Sequence, residues 1–379
     1  MLEENIFNAE EILERITKWV RIESPTHHTA GVNAMMDVAE SELKEMGAST
    51  ERLPGLDGFG DVVTGRFADD KGRNSGGILV LSHLDTVHEV GSVDGVLEVR
   101  RDGDKVYGPG IFDMKGGAQL GLSAMRALQK AGVSPKLPVT FMFTPDEEVG
   151  TPSARERIET EAKANKYVLV LEPLRTWGDV VVGRHAIQRF FVRTYGSPSH
   201  AGSTKAQGRS AITKMAELVG RIDSMTDYDR GTTYSVGTIH GGTFVNVVAI
   251  ACEAQVLCVA PSNELLDEIC ERMAGLEGEE DGVRIEVEKT LTRPVAPPHE
   301  KTMQLYETAK GLADDLGITF GHCLSGGGSD GNFTGALGIA TLDGLGVAGG
   351  GAHTFEEHLL VSSLVPRCRM LAGLLEHLE

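Results

Sequence analysis

The sequence predicts an α/β protein: a mainly parallel-sheet domain into which a smaller α+β domain is inserted. Three observations carry this. Short uninterrupted apolar runs at 78–82, 139–143 and 167–171 read as strands buried on both faces, with a helical stretch between the first two. From about residue 181 the pattern changes to longer, alternating strands. After Pro294, Pro297 and Pro298 the first pattern returns. A chain of 379 residues suits about two domains.

Taken in order, Asn8 followed three residues later by Glu11 resembles a capping box, and Ile12, Ile16, Trp19 and Val20 form one helical stripe. A helix is expected over 117–130, stopped by Gly132. In the middle, 187–195, 234–239, 245–259 and 283–287 look like strands, the last alternating as Val-Arg-Ile-Glu-Val. Ala211, Met215, Leu218, Val219 and Ile222 share one helical face, and Leu265, Leu266, Ile269 and Met273 another. A sheet with helices on one side follows, with the insert at 181–289 and the outer domain at 1–180 and 290–379. Glycine clusters at 326–328 and 349–351 imply tight loops, which often carry sites. Internal repeats and low-complexity segments are absent from the sequence.

Net charge is −19, which argues against nucleic acid or an anionic membrane as partner. No window approaches the roughly 18 apolar residues of a membrane span. The acidic start Met-Leu-Glu-Glu-Asn lacks a signal-peptide layout, so a cytoplasmic protein is expected. Five cysteines without a C-x-x-C pair suggest reduced thiols, leaving any metal to histidine and carboxylate.

Chemistry-bearing residues follow each buried strand. The run 78–82 leads into His83-Leu-Asp85, 139–143 into Thr-Pro-Asp146-Glu147-Glu148, and 167–171 into Glu172. Ligands of open α/β sheets bind outside the carboxyl ends of the strands. Asp113 joins them from between a Gly-Pro-Gly turn and a helix start. Alone, His83 could be an ordinary histidine, Glu147-Glu148 a solvated helix start and Asp113 an N-cap. Together, so many carboxylates would repel one another unless a cation sat among them. Oxygen and imidazole donors suit zinc, manganese or cobalt and do not choose among these.

The order His83-x-Asp85, Gly-Pro-Gly-Ile-Phe-Asp113-Met-Lys-Gly-Gly, Asp-Glu147-Glu148-x-Gly, Glu172-Pro and Gly-Ala-His353 resembles one family. It is the dinuclear metallohydrolase family of glutamate carboxypeptidase, acetylornithine deacetylase and succinyl-diaminopimelate desuccinylase. The pattern is most similar to the glutamate carboxypeptidase branch. The resemblance extends over essentially the whole chain, including Ser199-His200-Ala-Gly and Gly326-Gly-Gly-Ser-Asp330. It implies two divalent ions, zinc first and manganese or cobalt as alternatives. Asp113 would bridge them, His83 and Glu172 completing one and Glu148 and His353 the other. Asp85 would orient His83, and Glu147 would be the general base. The insert would be a lid and dimerisation domain of a homodimer. His200 would reach the partner's active site to stabilise the oxyanion, and Asn246 would lie near the substrate.

Two positions bear on specificity. The glutamate-binding branch carries an arginine at the end of a lid strand, where this chain has Val259; a second arginine before a proline has its counterpart in Arg293. The expected activity is carboxypeptidase-like cleavage of a small peptide or N-acyl amino acid. A deacylase of the acetylornithine or desuccinylase type is the alternative, and a non-catalytic binding protein on the same fold a further one. A mononuclear aminopeptidase on an H-E-x-x-H helix is excluded, since that motif is absent.

Overall fold

The computed structural model describes residues 2–69, 71–73, 75–175 and 178–379, in two units. The first holds everything up to Gly183, then Ala296–Leu324 and Ser329–Glu379; the second is Arg184–Val295 with Ser325–Gly328.

In the first unit, α1 (Ala9–Val20) starts where the Asn8 side chain accepts from the N–H groups of Glu10 and Glu11, at 2.9 and 3.2 Å. Only this half of the capping box forms. The Glu11 carboxylate pairs with Arg15 instead, at 3.2 Å. The stripe Ile12, Ile16, Trp19 and Val20 is buried. Helix α2 (Thr29–Glu45) leads to β1 (Ser49–Leu53) and β2 (Val62–Phe67). Then come β3 (Ile78–His83), a small pair β4 (Arg100–Asp102) and β5 (Lys105–Tyr107), and α3 (Lys115–Ala131). Gly132, at φ 68°, closes α3 in the left-handed conformation that glycine adopts without a Cβ clash. Strand β6 (Val139–Thr144), α4 (Arg155–Lys163), β7 (Tyr167–Val170) and β8 (Asp179–Arg184) follow.

The second unit runs β9 (Ala186–Tyr195), α5 (Ala211–Asp223), β10 (Thr233–Gly241), β11 (Ala251–Ala260), α6 (Asn263–Ala274), β12 (Gly278–Glu280) and β13 (Val283–Arg293), its strands forming an antiparallel sheet. Its order is β10-β11-β9-β13-β12. Burial alternates strictly along β9, as a sheet covered on one face requires. Met215, Leu218 and Ile222 of α5 and Ile269 and Met273 of α6 share its core with Phe190, Val192 and Val256.

The chain re-enters the first unit through α7 (Glu300–Asp315), β14 (Gly321–Ser325), α8 (Gly331–Ala336), β15 (Ala340–Leu342), β16 (Gly349–Gly350), β17 (His358–Leu360) and α9 (Leu364–His377). The main sheet has the order β1-β2-β6-β3-β7-β15. The contacts β6–β3, β3–β7 and β7–β15 are parallel, and β1 and β2 add an antiparallel edge. Every residue of β3 and β6 is buried, which is why both read as continuous apolar runs.

One expectation is corrected. The run 245–259 is not one strand, since β11 begins only at Ala251. Phe244 and Val245 are exposed, and the backbone here is tied to an earlier loop, with Ala201 N–H donating to Asn246 and Val248 N–H to Ser199. A β-branched apolar run looks like a strand in sequence even when it lies on the surface. Strand β13, in turn, runs on to Arg293, beyond the expected 283–287.

Candidate metal centre

Three parallel strands deliver the site. The register pairs His83 with Thr144 and Leu81 with Val170, so β3, β6 and β7 end at one edge. His83 closes β3, Glu172 follows β7, and Glu147 and Glu148 open a single 3₁₀ turn after β6 (Glu147–Val149). Gly150, at φ 101°, ends that turn. Asp113 precedes α3, and its peptide bond to Met114 is cis. His353, at φ 63°, comes from the loop between β16 and β17.

The two glycines after Lys115 explain that block sterically. A Cβ on Gly117 would lie 2.0 Å from the carbonyl oxygen of Leu171, and one on Gly116 2.3 Å from that of Ile111. The first turn of α3 therefore rests directly on the strand end that carries Glu172.

Asp113 stands between two histidines. Its Oδ1 is 3.2 Å from His83 Nε2 and its Oδ2 3.4 Å from His353 Nε2. Beside His83 lie Glu172 and Glu147, at 3.9 and 4.0 Å from Nε2. Beside His353 lies Glu148, at 3.1 Å. The two neighbouring glutamates thus serve opposite histidines. Two sets, His83-Glu147-Glu172 and His83-Asp113-Glu148, bring candidate ligand atoms within 4.8 Å of one another. On distance alone Glu147 and Glu172 are equivalent about His83.

The electrostatics show what this cluster requires. Burial works against the charge on Asp113, but hydrogen bonds from His353 and His83 hold its carboxyl well below the usual range. Hydrogen bonds to Asp113 and Glu148 raise His353 to about 11. Burial opposes charge on His83, yet Asp113 and Asp85 raise it well above the ordinary value. Glu148 is pushed up to about 7, by burial first and then by Asp113 and Glu147. Positive charge among these acids is stabilised throughout, as the raised histidines show. A divalent cation on the same nitrogen and oxygen donors would supply that charge, so the donor set fits such an ion.

Asp85 is buried and does more than the sequence suggested. His83 Nδ1 lies 3.0 Å from the Asp85 backbone carbonyl and 3.4 Å from its carboxylate. That carboxylate accepts from Thr26 Oγ1 at 2.7 Å and from the N–H groups of Glu147 and Glu148 at 3.2 and 3.3 Å. It therefore fixes the turn that carries both glutamates.

Other supports went unread in the sequence. Asp330 accepts from the hydroxyls of Thr144 and Thr151, at 2.9 and 2.5 Å. Asp146 accepts from Ser153 N–H at 2.5 Å and is raised to about 7, chiefly by burial and then by Asp330 and Asp85. Lys115 donates to the Ile22 carbonyl at 2.6 Å, tying the start of α3 to the end of α1, and burial lowers it to about 7. The only sequence signal for these was their position inside motifs already noticed.

The remaining candidates belong to the second unit. His200 and Asn246 sit on adjoining segments, joined by a bridge between His200 and Val247. His200 is exposed, and its Nδ1 accepts from the N–H groups of Gly202 and Ser203 at 3.1 and 3.3 Å, which leaves Nε2 to carry the ring proton. Arg293 is buried on β13 beside Ile187 of β9, whose other neighbour is Val259 on β11. The two positions singled out in sequence are thus separated by a single strand.

A family model described as Peptidase family M20/M25/M40 matches residues 79–377. Carboxypeptidase G2 of Pseudomonas sp. (strain RS-16) is 28% identical over 371 residues, covering 96% of this chain and 88% of that protein. Acetylornithine deacetylase of Myxococcus xanthus is 28% identical over 232 residues, covering 58% and 59% respectively. Among solved structures, a tripeptidase of Staphylococcus aureus shares the fold, with a TM-score of 0.79 at 20% identity, covering 98% of each chain.

Proposed function

This chain belongs to peptidase family M20/M25/M40 and hydrolyses peptide or N-acyl amino-acid bonds; we propose that it does so as a carboxypeptidase-like enzyme with two divalent ions, zinc first. His83 and Glu172 would hold one ion, Glu148 and His353 the other, and Asp113 both. The observation that carries this is Asp113 itself, one oxygen toward each histidine at 3.2 and 3.4 Å. Divalent ions supply Lewis acidity, which acidifies water and polarises a carbonyl. Glu147 would take the proton of the attacking water and pass it to the leaving amine. Asp85 holds the turn on which Glu147 stands.

His200, with Nδ1 taken by backbone N–H groups and Nε2 left as donor, suits a donor to an oxyanion, and Asn246 beside it a substrate contact. Exposed Ile212, Phe244, Val245 and Ile250 form apolar surface on the second unit, which supports a homodimer assembled through it. His200 would then serve the partner's centre.

Arg293 is the cation proposed to hold a substrate carboxylate. A two-arginine clamp gives two charge-assisted contacts of about 1.5–3 kcal/mol each. With Val259 across Ile187 from it, Arg293 lacks that second arginine, so acidic and neutral side chains should be poorly distinguished. The similarity to acetylornithine deacetylase, and this altered clamp, favour a deacylase as the second reading.

The test is a panel of dipeptides and N-acyl amino acids, assayed with zinc, manganese and cobalt separately and with EDTA as control. The expected result is EDTA-sensitive turnover of substrates with one free carboxylate, lost largely in Arg293→Ala. A preference above about 100-fold for glutamate over alanine or leucine at the released position, about 2.7 kcal/mol, would contradict the specificity reading. Turnover undiminished by EDTA would contradict the metal reading.

A further inference from the structure

Glu357 stands four residues beyond His353, is only 1% exposed, and has no place among the ligands named above. Its carboxylate is fully engaged. Oε1 accepts from the N–H groups of Phe112 and Asp113, both at 3.0 Å. Oε2 accepts from the N–H of Gly110 at 3.1 Å and meets His88 Nε2 at 2.5 Å. Its backbone carbonyl accepts from Gly108 N–H at 3.3 Å.

The turn between β5 and α3 thus points three N–H groups into one concavity, the kind of backbone nest that takes an anion. This chain fills it with its own carboxylate. The local topology dictates the match: β17, which begins at His358, pairs with β5, which ends at Tyr107, in antiparallel register. Glu357 is therefore delivered directly against the turn that follows β5. Burying a carboxylate is costly unless every lone pair finds a donor, and here four do.

Asp113 lies near the end of that turn, with Met114 between it and α3. Its N–H is held by Glu357 while its two carboxylate oxygens face His83 and His353. We propose that Glu357, supported by His88, is a positioning residue that sets where the Asp113 carboxylate lies between the two histidines. It would thereby tune both the affinity of the cation pair and the coupling between its members. Glu357 also follows the loop of His353, so one carboxylate ties the two loops that carry the bridge and a terminal ligand. The inference rests on the two-cation reading of the centre.

The test titrates metal-free protein with Mn²⁺, following binding by calorimetry and the saturated centre by electron paramagnetic resonance. Wild type should bind two ions and show the spectrum of an exchange-coupled pair. Glu357→Gln replaces an acceptor oxygen with an amide that cannot satisfy the same donors. It should bind about 10–100-fold more weakly, as for other outer-shell partners, and lose or alter the coupled spectrum at saturation while keeping its circular dichroism. His88→Ala removes one of the four donors and should shift both readouts less, in the same direction; it decides the matter if Glu357→Gln does not fold. Wild-type affinity, or weakened affinity with an unchanged coupled spectrum, overturns the proposal, because a merely structural role would leave the spectrum alone. A wild type that never takes up two ions overturns the two-cation reading, and this inference with it.

Discussion

Glu147 and Glu148 are adjacent in sequence, and the same Asp85 carboxylate accepts both of their N–H groups, yet their side chains go to opposite sides of Asp113. Glu147 approaches His83, and Glu148 meets His353 at 3.1 Å. A 3₁₀ turn separates consecutive side chains by about a third of a revolution, which lets one residue ligate while the other stays free for proton transfer. The two should therefore respond differently to the same isosteric change. Glu147→Gln is expected to keep its metal and its substrate affinity while turnover falls by about 10²–10⁴-fold, the usual loss of a general base. Glu148→Gln is expected to weaken metal binding instead. Metal titrations and steady-state kinetics on both variants check this, and near wild-type kcat in Glu147→Gln would show that the base lies elsewhere.

At the scale of elements, the sequence was most legible where burial is complete. Strands β3 and β6 are buried at every residue, so their apolar runs needed no periodicity to be found, and the charged residues just past them stood out. Helix α3 was visible as a helical stretch ended by Gly132, which takes the left-handed conformation in the structure. Strand β1 escaped because it sits at the antiparallel edge, where Ser49–Leu53 is exposed or half-buried and carries no apolar run. The run 245–259 misled in the opposite sense, since surface valines carry the same local signal as a strand. Within the site, His83, Glu147, Glu148 and Glu172 were legible because they lie at or just past the ends of buried strands, whereas Asp113 and His353, on loops, stood out only through the motifs around them. The Glu357 nest was not, because its donors are backbone N–H groups more than 240 residues away in sequence. No side-chain pattern records such a contact.

At the scale of the whole molecule, the proposed homodimer makes a prediction that the subunit alone does not. If His200 completes the partner's centre, Glu147→Gln and His200→Ala variants, each nearly inactive, should regain activity when mixed. Some mixed dimers then hold one centre with both groups intact. Recovery of up to about a quarter of wild-type activity is expected from random exchange between two half-site-complementing subunits, once exchange is verified by mass-tagged subunits. Absent recovery under verified exchange would place the action of His200 within its own chain or remove it from catalysis.

One carboxylate, Asp113, is proposed to join two cation sites. Elemental analysis of purified protein saturated with zinc and then freed of excess, for wild type and Asp113→Ala side by side, checks this. About two ions per chain are expected in wild type and the loss of most of both in Asp113→Ala, because removing the shared ligand leaves each site incomplete. One ion in saturated wild type, or an undiminished pair in Asp113→Ala, would contradict it.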